Sequence, residues 1–212
     1  MKKAFSLIEL VIVIVVIGIL ASLSIPRLKD DNRAKAMNHI LTMIRYTQNL
    51  ALHDSKQLRD NPKWQRRFWR FEVKNCSINN PYTKGPIFVI GSDEDMNKSI
   101  SKKESAVDPV TGKYLYTICT QQSNNLNVSP NVYLGKNFGI KKLDFNGSCA
   151  QYIGFDKFGR IYSHYKNTNT PDYSGYLTSD CNITVEFQND KPFKIIIKKE
   201  TGFAYIEENP KL

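Results

Sequence analysis

The sequence predicts an α+β fold in which a long amino-terminal helix packs on an antiparallel β-sheet. Three observations predict it: residues 4–25 form an apolar run, residues 37–51 repeat apolar side chains at three- and four-residue intervals, and apolar and polar residues alternate from Trp64 onwards. Beyond the helix about 150 residues remain, enough for a single hydrophobic core. We therefore expect one domain attached to one helix.

The apolar run, AFSLIELVIVIVVIGILASLSI, contains a single charged residue, Glu9. As a helix, residues 5–25 would rise about 31 Å, enough to cross the ~30 Å hydrocarbon core of a membrane. An ionised Glu inside such a helix costs about 2.5 to 3.5 kcal/mol, so we expect a cation beside it. The α-amino group created by removal of residues 1–4 would lie four residues away in the same helix, or beside Glu9 of a neighbouring subunit.

The segment FSLIE at residues 5–9, with Gly18 and Pro26 further along, closely resembles the prepilin signal of the type IV pilin and type II secretion pseudopilin superfamily. The resemblance implies cleavage between Ala4 and Phe5 and N-methylation of Phe5. It also implies that Glu9, Gly18 and Pro26 serve assembly. Pro26 would in addition remove one backbone hydrogen bond and loosen the helix where the helix leaves the bilayer. Ala4 stands where this family usually has Gly.

The same resemblance implies a location and a set of partners. The chain would cross the bacterial inner membrane once, with its carboxy-terminal domain in the periplasm. Its partners would be a prepilin peptidase, an inner-membrane assembly platform and other pseudopilins, which it would meet through the amino-terminal helix. A secretory signal peptide cut near Ala21 or Ser24 and a plain single-pass anchor are the alternatives, and neither accounts for Glu9.

After Pro26 the pattern predicts an amphipathic helix that packs under the sheet. The residues on one face are Met37, Ile40, Leu41, Ile44, Gln48 and Ala51. We expect this helix to continue to about Leu58, because Asn61 and Pro62 would end it. The chain then divides into a leader (1–4), a membrane and assembly helix (5–26), an amphipathic helix (27–60) and a β-rich domain (61–212).

Period-two alternation and turn residues predict the strands of an antiparallel sheet that ends as a β-meander. The predicted strands are residues 69–73, 87–90, 114–119, 132–134, 151–155, 160–163, 183–187, 193–199 and 203–206. The order of FDKFGRIYS, ITVEF and KIIIKKETGFAYI resembles the carboxy-terminal half of the minor pseudopilins that cap type II secretion pseudopili. The resemblance therefore implies a minor pseudopilin with a pilin-like fold.

Four cysteines, Cys76, Cys119, Cys149 and Cys181, lie beyond the apolar run. In an oxidising compartment they would form two disulfides in one of three pairings, and reduced buried thiols are the alternative. The chain has no C-x-x-C motif, which disfavours zinc.

No metal, cofactor or catalytic residue is predicted, and we do not expect an enzyme. The acidic group Asp93, Glu94 and Asp95 lacks the alternating spacing of a calcium loop, so it is expected to be a solvated loop rather than a Ca²⁺ site. The three histidines, His39, His53 and His164, are scattered and stand in no recognised catalytic motif.

The charge of the chain raises a second hypothesis, a pilin-like DNA-binding subunit of a natural-transformation machine. The net charge is +10, and it stays near +8 if Lys2 and Lys3 leave with the leader. Basic and aromatic residues interleave after residue 62, and further lysines flank a late strand, as a single-strand platform would require. The candidate DNA contacts are Lys63, Arg66, Arg67, Arg70, Lys198 and Lys199. The alternative is that these aromatics are sheet core and these charges are the solvated face of the sheet.

Five Asn-x-Ser/Thr triplets begin at Asn75, Asn97, Asn127, Asn146 and Asn182. Three of them, at Asn97, Asn146 and Asn182, carry an acidic residue two positions earlier and resemble the extended acceptor sequence of bacterial N-glycosylation. These three are the candidate glycosylation sites, and chance occurrence in an Asn-rich chain is the alternative.

Overall fold

The computed structural model describes residues 7–57, 60–120, 126–163, 165 and 169–207, with the backbone alone for residues 21–31. Its α+β class confirms the prediction: a long helix, α1 (Leu7–His53), joins a domain built from antiparallel strands. The strands are β1 (Trp69–Lys74), β2 (Ile87–Gly91), β3 (Ile140–Asn146), β4 (Tyr152–Phe155), β5 (Ile161–Tyr162), β6 (Cys181–Phe187), β7 (Phe193–Ile197) and β8 (Ala204–Glu207).

The strands form two sheets where the sequence predicted one. The first sheet has the order β2-β1-β4-β5, and the second has the order β3-β6-β7-β8, so β6 to β8 form the predicted meander. Both sheets share one hydrophobic core with the second half of α1, which contacts β1, β4 and β8.

The second half of α1 buries one face against this core, as its apolar spacing predicted. Met37, Ile40, Ile44 and Ala51 are buried, while Leu41 and Gln48 lie at the margin of the face. The helix ends at His53 rather than near residue 58. Tertiary contacts override local helix propensity here: the Asp54 carboxylate accepts a hydrogen bond from the indole N–H of Trp69 at 3.1 Å.

Two predicted strands are wrong. Residues 114–119 form an irregular segment in which Tyr114 makes isolated bridges to Val107 and Val128. Residues 132–134 join a 3-10 helix (Pro130–Val132) to a short helix, α2 (Leu134–Phe138). Leu115 in the first segment and Val132 and Leu134 in the second are buried, and a short apolar run does not reveal its backbone conformation.

Strand β3 was missed because a bulge breaks its alternation. Its register with β6 shifts between Ile140 and Lys142, so two lysines follow one another before the inward-facing Leu143. A bulge adds one residue to a strand and thereby disrupts a period of two.

The prediction of two disulfides is confirmed, and the structure selects the pairing. Cys76 joins Cys119, and Cys149 joins Cys181. The first bridge ties the end of β1 to the irregular segment, and the second ties the β3–β4 connection to the start of β6. The first bridge closes a loop of 43 residues and the second a loop of 32 residues. In the chain-entropy model each bridge stabilises the fold by about 4 kcal/mol.

Candidate functional site

The first half of α1 is apolar on all sides and projects away from the domain core. Its large apolar side chains between residues 7 and 20 are 49% to 82% exposed. Glu9 lies among them in the first turn of the helix and is also exposed. A helix that is hydrophobic all round needs an apolar environment on every side.

Some predicted site residues lie outside the described part of the chain. Ala4 and Phe5, the predicted cleavage site, are among them, and at Pro26 only the backbone is described, as a part of α1. Within the described residues, no helix offers an apolar stretch long enough to cross a membrane.

Gly18 has open space around it. A Cβ built on this residue meets no atom within 4 Å in the described structure. Glycine inside a helix costs about 0.5 to 1 kcal/mol relative to Ala, and no contact among the described residues repays that cost. Small residues in apolar helices typically let a second helix approach closely.

The second half of α1 is fixed to the domain by polar bonds as well as by the core. Arg33 and Arg45 donate to the carbonyls of Lys191 and Ala204, and the hydroxyl of Tyr46 donates to the carbonyl of Val107. Side chains of α1 thus reach loops and strands that lie far apart in sequence. These bonds attach the second half of α1 to the domain.

His39 and Asp108 form a buried polar region beside α1. The Nε2–H of His39 donates to the carbonyl of Asn131 at 2.9 Å. Burial lowers the pKa of His39, opposed by this hydrogen bond and by the charge of Asp108. Burial would raise the pKa of Asp108, but hydrogen bonds from Ser129, Val110, Asn131 and Thr111 outweigh it and hold that pKa below its usual value. These hydrogen bonds join α1 and the segment around Asp108 to the segment of residues 129–131.

The structure places part of the predicted DNA platform inside the domain. Arg66 is 4% exposed and Arg70 is fully buried, and the aromatics interleaved with them, Trp64 and Phe68, belong to a small buried cluster. Arg70 forms ion pairs with Glu72 at 3.0 Å and with Asp93 at 3.5 Å. A buried charge requires such partners, so these arginines are structural.

The other proposed DNA contacts are scattered and partly paired. Arg67 forms an ion pair with Glu94, and Lys198 forms one with Asp180 at 2.8 Å. Lys63 is exposed, and Lys199 donates to the carbonyl of Thr178. Three of these four cations therefore have partners within the domain.

The acidic loop folds into a hydrogen-bonded turn. Asp93, Asp95 and Glu104 bring carboxylate oxygens within 4.8 Å of one another, whereas Glu94 turns towards Lys56 and Arg67. Asp93 accepts hydrogen bonds from the backbone N–H groups of Asn97 and Lys98. Burial raises the pKa of Asp93, and Arg70 opposes that rise. These carboxylates are the acceptors that shape the turn.

Sequence reasoning missed a small cavity beside the aromatic cluster. It has a volume of 160 Å³, and Phe158, Arg160 and Tyr176 are among its lining residues. Ligand pockets usually measure about 300 to 1,000 Å³, so this one has room for a single side chain. Alternation had marked Trp64 and Phe68, which also line it, as sheet core, and no sequence signal distinguishes a core ring from a cavity wall.

Comparison with known proteins identifies the amino-terminal segment. Residues 1–25 match the family model of the prokaryotic N-terminal methylation motif, which is the signature of the prepilin-type signal. Comparisons with curated proteins and with solved structures found no significant match. The matched segment contains Ala4, Phe5, Glu9 and Gly18.

Proposed function

We propose that this chain is a prepilin-like structural subunit that is cleaved before Phe5, methylated there, and packed through its amino-terminal helix into a filament with other subunits. One observation carries the proposal: the methylation motif of residues 1–25 opens a helix that is apolar on all sides and then becomes the buried spine of the domain. The motif favours a structural subunit over an enzyme.

The exposed half of α1 supports assembly. Its apolar surface needs either lipid or the helices of neighbouring subunits. Before assembly, the subunit would be anchored in the bacterial inner membrane with its domain in the periplasm. An inner-membrane assembly platform would then insert it into the filament. Glu9 would pair with the new α-amino group at Phe5, because a carboxylate in an apolar environment requires a cation.

The two disulfides suit an exported domain, since disulfides persist in oxidising compartments. The meander of β6 to β8 after a pilin-like helix supports the finer assignment, a minor pseudopilin of a type II secretion-like pseudopilus. The DNA-uptake alternative loses its main surface, because Arg66 and Arg70 are buried. Scaffolding is therefore the function that the geometry favours.

Mass spectrometry of the mature amino terminus tests the proposal. In cells that contain a prepilin peptidase, we expect a chain that begins at Phe5 and carries the mass of one added methyl group. Ala4→Lys should block cleavage, and Ala4→Gly, which restores the usual residue, should retain it. A mature chain that begins near Ser22 or Ile25 would mean a secretory signal peptide and would overturn the proposal.

A further inference from the structure

We propose that Asn97 is the acceptor of an N-linked glycan, and that it is the preferred one among the five Asn-x-Ser/Thr triplets. The inference rests on how the structure presents each triplet. In cells it also requires the exported location given under the proposed function, because glycan transfer to folded bacterial domains takes place outside the cytoplasm.

Two of the triplets are committed to the fold. The side chain of Asn75 donates to the carbonyl of Leu143 and accepts from the N–H of Leu143, so its amide bridges to β3. In the triplet of Asn127 the hydroxyl belongs to Ser129, which is fully buried and donates to Asp108. Modification of either would require the domain to open.

Two more triplets belong to the second sheet: that of Asn182 lies in β6, and that of Asn146 begins at the last residue of β3 and ends at Ser148, whose hydroxyl hydrogen-bonds with the hydroxyls of Thr178 and Ser179. Asn146 at the end of β3 pairs in register with Asn182 in β6. The backbone on either side of Asn182 belongs to the ladder with β7, and Asn182 itself is half-buried. A transferase must take its acceptor segment into an active-site cleft, so Asn182 would first have to leave the sheet, and the triplet of Asn146 would have to give up its pairing with Asn182 and the hydrogen bonds of Ser148. Chain segments at loop tips meet that requirement far more readily.

Asn97 lies at the tip of an exposed turn whose geometry is fixed from beneath. Met96 and Lys98, on either side of it, both have positive φ angles, 58° and 82°. Buried arginines hold the base of the turn: Arg66 donates to the carbonyl of Met96 at 2.8 Å, and Arg70 forms an ion pair with Asp93. The base of the turn is therefore fixed, while the three residues of the triplet, Asn97 to Ser99, are exposed to solvent.

The polar atoms around the Asn97 amide favour reaction at Nδ2. Oδ1 accepts hydrogen bonds from the hydroxyl of Ser99 at 2.7 Å and from the N–H of Ser99 at 2.9 Å, while Nδ2 donates to the carboxylate of Asp95 at 2.8 Å. Donors at Oδ1 stabilise negative charge that builds there as Nδ2 loses a proton, and the carboxylate lies where it accepts that proton.

The co-substrate would be a lipid-linked oligosaccharyl pyrophosphate. Nδ2 of Asn97 forms a bond to the anomeric carbon of the sugar, and the bond from that carbon to the pyrophosphate oxygen breaks. The lipid pyrophosphate leaves with the electron pair, and the Nδ2 proton passes to a carboxylate. No oxidant or reductant is required.

The test uses the full chain in detergent micelles, a purified bacterial oligosaccharyltransferase and a lipid-linked oligosaccharyl pyrophosphate, with intact mass as the readout. We expect the wild type to gain the mass of one oligosaccharide. Asn97→Gln and Ser99→Ala should lose it, whereas Ser99→Thr, Asn146→Gln and Asn182→Gln should retain it. Thermal unfolding of each variant shows whether the fold is kept.

An unmodified wild type in this purified system, or a gain that persists in Asn97→Gln, would overturn the inference. A second arm expresses the same chain in cells that hold the transferase in the inner membrane. Modification in the purified system without modification in these cells supports the acceptor assignment and counts against the proposed export of the domain. The two proposals therefore fail in different ways.

Discussion

The side-chain amide of Gln48, on α1, donates a hydrogen bond to the carbonyl of Gly159 at 2.9 Å, and the same nitrogen donates to the carbonyl of Thr201 at 2.8 Å. Gly159 lies in the β4–β5 turn of the first sheet, and Thr201 precedes β8 in the second. A Cβ on Gly202 would lie 2.0 Å from the carbonyl oxygen of Gly159, so only glycine lets these two turns meet under the helix. The side chain of Gln48 on α1 therefore joins turns of both sheets.

Gln48→Glu should destabilise the domain by about 2 kcal/mol, because a carboxylate cannot donate to either carbonyl and leaves both without this partner. The free energy of unfolding in urea measures the loss. Asn49→Asp is the matched control, since it introduces the same charge one residue further along on the exposed face and should change stability by less than about 0.5 kcal/mol. Equal losses in the two variants would contradict the role given to Gln48.

Arg70→Met should cost about 3 to 5 kcal/mol, because it leaves Glu72 and Asp93 buried without their common cation. Lys63→Met removes an exposed cation from the same basic group and should be nearly neutral. Unfolding in urea distinguishes the two. If Arg70→Met has the same free energy of unfolding as the wild type, the ion pairs of Arg70 with Glu72 and Asp93 do not stabilise the domain.

Stability should fall as the pH drops below about 6.5, the ordinary pKa of His39. Burial lowers the pKa of His39 in the folded state, so the unfolded chain binds a proton first and acid favours unfolding. The contribution of neutral His39 to stability is complete above the ordinary pKa of 6.5 and is lost as the pH falls towards the lowered pKa of the folded state. Melting temperatures measured from pH 7.5 to 5 should decline.

The control for this pH effect is His39→Gln, which keeps an N–H donor for the carbonyl of Asn131 but does not titrate. Its melting temperature should change less with pH over the same interval. An identical slope in the variant and the wild type would assign the pH dependence to other groups.

The sequence predicted those parts of the fold that depend on periodicity over several turns or residues. The apolar spacing from Met37 to Ala51 defined the buried face of the helix, and the alternation in β1 and in β6 to β8 defined strands. It failed where burial alone made a segment apolar, as around Leu115, and where the bulge after Ile140 broke the alternation. Both failures arise from tertiary context, which overrides local pattern.

The candidate site divides in the same way. Glu9 and Gly18 were recognisable because the methylation motif is contiguous in sequence. The basic group after residue 62 suggested a surface site, because the sequence alone does not show that Glu72 and Asp93 form buried ion pairs with Arg70. These two acids lie 2 and 23 positions from Arg70 in the sequence, and their contacts with it make Arg70 a buried structural cation.

Gly18→Leu should leave the isolated chain folded and weaken assembly, because its side chain projects into open space in one subunit but would hold a neighbouring helix away. Gly18→Ala is the matched control: it removes about 0.5 to 1 kcal/mol of helix cost and adds little bulk. Chemical cross-linking of subunits in membranes measures assembly. Equal cross-linking in Gly18→Leu and wild type would show that no helix packs closely at this position.

Glu9→Gln should leave the subunit in the membrane fraction and abolish its incorporation into the filament. The substitution keeps the size of the side chain and the apolar length of the helix, and it removes only the charge proposed to meet the α-amino group at Phe5. Alkaline extraction of membranes measures anchoring, and recovery of a differently tagged second copy after cross-linking measures incorporation. Glu9→Asp, which retains the charge on a shorter stem, should restore part of the incorporation. Full incorporation of Glu9→Gln would remove the proposed role of Glu9 while leaving processing at Phe5 untouched.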